Sequence, residues 1–215
     1  MPYRDGLLAV VSGPAGSGKT TLAERLIRLH PDGCVRRAVT ATTRKPRPGE
    51  VDGKDYHFLS ESEFLRMIDA GEFIEHTRFN NNYYGTPRRL LEENVSRGGV
   101  VLLVIEVEGA ESIRSFFPEA VFIFILPPTP AELRGRLEGR GTETREDVEN
   151  RLAIACGETR RVDEYDFLII NDNPETAAMD FSAVLRAVKR SLICGDELLQ
   201  WEQGVFKDWD ARRIL

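Results

Sequence analysis

The chain has 215 residues, 41% of them hydrophobic and 30% charged, which is enough apolar side chain to bury a core without disulfide staples. Its formal net charge of −6 argues against general nucleic-acid binding, and its longest apolar runs fall far below the ~20 residues that span a bilayer. Cys34, Cys156 and Cys194 are widely spaced with no CxxC pair. They fit neither a disulfide framework nor a structural zinc site, and no signal-peptide core follows Met1, so a reducing cytoplasm is the expected compartment.

In chain order, short apolar runs alternate with helical stretches. Leu7 to Val11 is followed by a glycine-rich loop and a helix-like run, Leu22 to Leu29. Val35 to Ala41, Val100 to Glu106, Ala120 to Leu126 and Asp166 to Ile170 complete a set of strands too continuously apolar to alternate, as in strands covered on both faces. Helix starts are signalled at Ser60 with Glu63, at Thr86-Pro87 with a stop expected at Gly98-Gly99, at Thr129-Pro130-Ala131-Glu132, and at Thr144 with Asp147. The reading is α/β: a five-stranded parallel core sheet flanked by helices. Two stretches break the rhythm. About 40–95 holds most turn residues and tyrosines, about 135–155 is dense in Arg and Glu, and both look like insertions on the core.

The loop Gly13-Pro14-Ala15-Gly16-Ser17-Gly18-Lys19-Thr20 has the Gly-x-x-x-x-Gly-Lys-Thr pattern of a phosphate loop between strand and helix. Glycines let successive backbone N–H groups surround phosphate oxygens, Lys19 reaches the β and γ phosphates, and Thr20 offers a hydroxyl to Mg²⁺. A nucleoside triphosphate site follows, but such loops serve GTPases, ATPases and kinases alike.

A second set of motifs runs from Thr40 through Arg44, Arg47 and Glu50-Val51-Asp52-Gly53-Lys54-Asp55-Tyr56, then Phe73-Ile74-Glu75-His76 and Asn80-Asn81-Asn82-Tyr83-Tyr84-Gly85-Thr86. With the phosphate loop, Ile125-Leu126-Pro127-Pro128, Arg136-Leu137-Glu138-Gly139-Arg140-Gly141 and Ile170-Asn171-Asp172, these make the chain strongly resemble guanylate kinases over about residues 7–190. The resemblance implies an ATP:GMP phosphotransferase of the P-loop nucleoside monophosphate kinase group, with Mg²⁺, working in the cytoplasm as a monomer or homodimer. It also implies one domain in parts: a core of about 1–39, 96–134 and 158–195, a GMP-binding region of about 40–95, and a lid of about 135–157. A tail of about 196–215 lies outside it.

The residues have chemistry suited to those parts. Arg44 and Arg47, with Tyr56 and Tyr84 as neutral donors, can cradle a phosphate dianion, which would account for the five basic and no acidic residues in Arg36 to Arg47; a solvated loop is the blander reading. Glu75 can accept from guanine N1–H and N2–H₂ and would repel adenine, although an acid in such a run also suits a wet strand edge. The resemblance adds Thr40 and Thr86 near guanine O6, Glu106 near guanine or a metal-bound water, and Asn171 near the ATP base or ribose, where a turn before Pro174 is an equal alternative. It also assigns Thr21 to the ATP site and Arg136, Arg140 and Arg151 to the transferring phosphoryl group; an exposed Arg/Glu helix pair would show the same spacing. A phosphate monoester is largely dianionic at neutral pH, so no general base is needed and His30, His57 and His76 receive no role.

One departure stands out. Guanylate kinases usually carry Asp-x-Asp after the third core strand, whereas here Val104-Ile105-Glu106 stands, which puts a magnesium-orienting carboxylate in doubt. The tail, with Trp201, Phe206 and Trp209, suits packing on the core or a partner contact. Two rival readings are a non-catalytic scaffold, which the intact phosphate loop disfavours, and a kinase for a phosphorylated sugar, which Glu75 disfavours.

Overall fold

The computed structural model describes residues 6–79, 81–139 and 145–189. Five strands, β1 (Gly6–Ser12), β2 (Val35–Arg37), β7 (Gly99–Val104), β8 (Val121–Leu126) and β9 (Phe167–Ile170), form one sheet in the order β2-β7-β1-β8-β9 with every pairing parallel. Alternate residues of these strands enter two separate cores, because successive side chains point to opposite faces. Leu7, Ala9 and Val11 meet α1 (Lys19–Leu29) and the helix over residues 174–189 through Leu22, Leu26 and Phe181; Leu8 and Val10 meet α3 (Arg88–Ser96) and α4 (Val107–Phe116) through Leu91, Val95 and Ile113. Both faces are therefore dry, which is why the strands lack an apolar–polar alternation.

The expected strand Val35 to Ala41 divides. Only Val35–Arg37 pairs in the core sheet, and the chain then leaves it so that β3 (Ala41–Thr42) joins a second sheet with β4 (His57–Phe58), β6 (Asn82–Pro87) and β5 (Phe73–Phe79), in the order β4-β3-β6-β5. This sheet builds the turn-rich stretch that the sequence marked as an insertion. It has a small core of its own, where Phe64 of α2 (Glu61–Asp69) stacks on Phe73 and Tyr83.

The helix starts are explained by their caps. Ser60 and Glu63 form a full capping box at α2, and Thr129 accepts from the Glu132 N–H at 3.1 Å at α5 (Pro130–Glu138), while the Glu132 side chain turns to Arg136 at 3.2 Å. Pro87 is the N-cap residue of α3, which ends before Gly98; its side chain has no acceptor, so the helix has no side-chain cap, and the Thr86 hydroxyl goes to Glu75 instead. Helix α6 (Arg145–Thr159) packs on α5 through Leu133, Leu137, Val148 and Ala155, with Ala15 of the glycine-rich loop against the same cluster. Residues 140–144, Thr144 among them, and Cys194 and the 196–215 tail lie outside the described residues. Among the described residues, no helix is long and apolar enough to cross a membrane.

Candidate active site

The phosphate loop leaves β1 at Ser12 and ends in α1. Gly13, Gly16 and Gly18 hold φ of 140°, 89° and 93°, conformations that L side chains rarely adopt. At Gly18 space is also lacking: a Cβ would stand 2.2 Å from Asn171 Nδ2. Lys19 is folded back over the loop, donating to the Gly13 carbonyl and, at 3.2 Å, to that of Pro14, and its ammonium lies 3.6 Å from Glu106 Oε2. Ser17 is fully buried and its hydroxyl has no hydrogen-bond partner among the described residues, which suits a loop shaped around oxygens of a bound phosphate. Thr20 and Thr21 are exposed at the start of α1, and Thr20 with Glu106 supplies the hard oxygen donors that suit Mg²⁺.

Asn171 follows β9 and is buried. Its Nδ2 donates to Ser17 O at 2.8 Å, so in this structure it pins the loop from below. Arg136 of α5 donates to Asn171 O at 2.8 Å and lies 3.5 Å from Ser17 O, which brings one of the expected arginines beside the loop. Arg151 lies half-buried in α6. Arg140 lies outside the described residues.

The second region is built on the four-stranded sheet. Glu75 and Thr86 are cross-strand partners of β5 and β6, just past an irregularity between Phe73 and Glu75. Thr86 donates its hydroxyl proton to Glu75 Oε1 at 2.5 Å, with Glu75 only 8% exposed and Thr86 1%. Burial, opposed by that hydrogen bond and helped by the negative charge of Glu106, pushes the Glu75 carboxyl above the usual carboxylate range. Gly109 of α4 is what lets it fit, since a Cβ there would stand 2.8 Å from Glu75 Oε2. Glu75 does sit on the edge strand of its sheet, but it does not face water: the group is buried against α4. Thr40, also buried, accepts through its carbonyl from the His57 N–H at 2.8 Å.

Arg44 binds both oxygens of Glu50 at 2.6 Å and lies over the Tyr56 ring, 4.9 Å from its centroid. Glu50 also accepts from the Arg47 N–H at 2.7 Å, and Arg44 chiefly, with that N–H, holds its carboxyl down to about 2. Tyr56 and Tyr84 meet edge to face at 6.3 Å, and burial raises the Tyr56 hydroxyl, which keeps it a proton donor at neutral pH. The basic run does not act as one patch. Arg36 caps the end of α3 through the carbonyls of Asn94 and Gly98, Arg37 binds the Asp55 carbonyl and lies over Tyr56, and Arg47 is exposed.

Three participants escaped the sequence reading. Glu50 was legible only as part of a motif, because its six-residue reach to Arg44 follows no helical or strand period. Arg37 reads as a strand residue. Glu158, near the end of α6, is raised to about 7 by burial and by Glu106, and Lys19 pulls the other way, so a carboxyl of α6 stands within electrostatic reach of the loop lysine. Nothing in its spacing separates it from the other acids of that helix.

The two regions meet at Glu106, which acts on Lys19 on one side and Glu75 on the other. Val104, two residues before it, packs instead against the apolar core on the α1 face. A family model for guanylate kinase matches residues 6–188. The guanylate kinase of Clostridioides difficile is 42% identical over 192 residues, covering 89% of this chain and 93% of its own, and that of a Nostoc species is 46% identical over 187 residues, covering 87% and 89%. A crystal structure of guanylate kinase from Anaplasma phagocytophilum superposes with a TM-score of 0.69 at 38% identity, over 85% of this chain and 86% of that one. Matches of that extent, over a chain whose loop lysine and buried glutamate both lie within reach of the Glu106 charge, establish that it belongs to the guanylate kinase family.

Proposed function

We propose that the chain transfers the γ-phosphoryl group of ATP to GMP, giving ADP and GDP, and that the residues above divide the work. The observation that supports this reading is the chain of contacts from Thr86 and Glu75, through the charge of Glu106, to Lys19 of the phosphate loop, which sets a buried carboxyl suited to guanine near the loop. The guanine would set two N–H donors against Glu75, with Thr86 and Thr40 beside O6, and adenine would leave that carboxylate unpaired. Arg44, Arg47, Tyr56 and Tyr84 would take the GMP phosphate. Glu50 fixes the loop carrying both arginines through its bonds to Arg44 and to the Arg47 N–H, which lowers the ordering cost of binding a phosphate there.

On the ATP side, Gly13 to Thr21 would hold the phosphates, with Asn171 supporting the loop. Lys19 would exchange its present carbonyl partners and Glu106 for the β and γ oxygens. Arg136, Arg140 and Arg151 would add charge around the group in transfer. The GMP phosphate attacks as a dianion, so the residues need only align the two nucleotides and exclude water. Thr20 and Glu106 would hold Mg²⁺ or its waters, and the ion when bound supplies neutralisation of the β and γ oxygens. We place the core at about 1–39, 96–134 and 158–195, the GMP-binding region at about 40–95 and the lid at about 135–157. Its substrates are small molecules, and its setting is the cytoplasm.

An ADP-release assay with ATP and GMP, AMP, dGMP or a ribose phosphate tests the reading, with Lys19→Ala as control. GMP-dependent release that Lys19→Ala abolishes is expected. Release with AMP but not GMP overturns it, and release only with a ribose phosphate assigns the site to a sugar kinase.

A further inference from the structure

Away from the cleft, the turn from α1 to β2 gathers three side chains of different chemistry. His30 caps the end of α1, and Asp32 and Cys34 follow at two-residue spacing around Gly33, whose φ of 74° makes the turn. One ligand atom from each lies within 4.8 Å of the others. His30 Nδ1 stands 3.7 Å from Cys34 Sγ, and the Cys34 N–H donates to Asp32 Oδ1 at 3.2 Å. Zinc bonds of about 2.3 Å to sulfur and about 2.0 Å to nitrogen at a tetrahedral angle set those two atoms about 3.5 Å apart. The pair already has nearly that separation.

A second observation concerns the ring's other nitrogen. His30 Nε2 lies 3.0 Å from the hydroxyl of Ser182, a buried residue of the helix over 174–189. A proton on Nε2 satisfies Ser182 and leaves the Nδ1 lone pair aimed at Cys34 and Asp32, the outer support that metal-binding histidines usually have. His30 and Cys34 are half-buried and Asp32 is exposed, so an ion could enter from solvent.

Cysteine spacing alone gave no zinc site, but the turn brings a histidine and an acid to one of the cysteines, and we propose that His30, Asp32 and Cys34 form a binding site for one Zn²⁺ ion, with water in the fourth position. Binding forms a zinc–thiolate bond and releases the Cys34 proton to the buffer, without any redox step. The 11 residues of α1 put this site about 16 Å of helix away from the phosphate loop. Its effect is to tie the end of α1, the start of β2 and the helix over 174–189 together.

Titration of the full, reduced, metal-stripped chain with Co²⁺ tests the proposal. The readouts are the thiolate-to-cobalt charge-transfer band and the visible bands of a tetrahedral ion. One equivalent should saturate them, and Zn²⁺ should displace the cobalt. Cys34→Ser should abolish the charge-transfer band, His30→Ala should weaken binding at least tenfold, and Cys156→Ser, at an exposed free cysteine of α6, should change nothing. His30→Ala keeps the test valid if Cys34→Ser unfolds, as thermal melts would reveal. Absence of the band at one equivalent, or its survival in Cys34→Ser, overturns the proposal and leaves a hydrogen-bonded turn.

Discussion

Glu75→Gln separates recognition from stability most sharply. Glutamine is nearly isosteric, and its Oε1 can keep the Thr86 hydroxyl that Glu75 accepts at 2.5 Å. The amide NH₂ must then occupy the place of Oε2, beside Gly109, and turn donors toward guanine's donors. Hydrogen bonds to charged groups are worth about 1.5–3 kcal/mol, so losing one lowers kcat/KM for GMP about 10- to 150-fold. Adenine, with an acceptor at N1, should gain relative to guanine. Stability should move the other way. The folded carboxyl is raised above its ordinary value, so its contribution is full below the ordinary carboxylate range and lost as pH rises through the raised one. The substitution removes the cost of ionising this buried group, so above the raised value the ligand-free variant should melt higher than the parent. The assays are GMP and AMP saturation curves beside a thermal melt. A lower Tm with kcat/KM for GMP within about threefold of the parent would refute the reasoning and make Glu75 purely structural.

Glu50→Gln should raise the KM for GMP about tenfold with a smaller change in kcat, because it releases Arg44 without touching the nucleotide. The Glu50 carboxyl is depressed to about 2, so the stability of its pair with Arg44 is present above the ordinary carboxylate range and lost as pH falls toward that value; the variant's acid unfolding should lack this component. Glu158, raised to about 7, acquires beside Lys19 a negative charge that competes with ATP phosphates as pH rises through that value. The ratio of kcat/KM for ATP between Glu158→Gln and the parent should therefore grow from about pH 6 to about pH 8, and a flat ratio would count against it. Val104→Asp should lower the Mg²⁺ concentration needed for half-maximal rate and also lower Tm, because Val104 packs on apolar neighbours. An unchanged Mg²⁺ requirement would show that no ion is oriented from the end of β7.

Local chemistry was readable where one short segment carries the whole signal. The glycines, Lys19 and Thr20 of the loop define a phosphate cradle without help from distant residues, and the Ser60–Glu63 and Thr129 caps are likewise closed within four positions. The double burial of β1, β7 and β8 is written in their unbroken apolar runs, since each face needs its own alternate set. What depends on pairing across long sequence separations had no such signal. Two-residue strands such as β3 and β4 are too short for any period, so the four-stranded sheet and the break after Arg37 appear only once the strands pair. The same holds for function. Sequence could nominate Glu75, but only the cross-strand register with Thr86 and the close approach of Gly109 make it a buried acceptor, and it is the burial that raises its carboxyl. Nor could it join Glu158 to Lys19 or His30 to Ser182, 152 positions apart, because such contacts belong to the folding of distant helices onto one sheet.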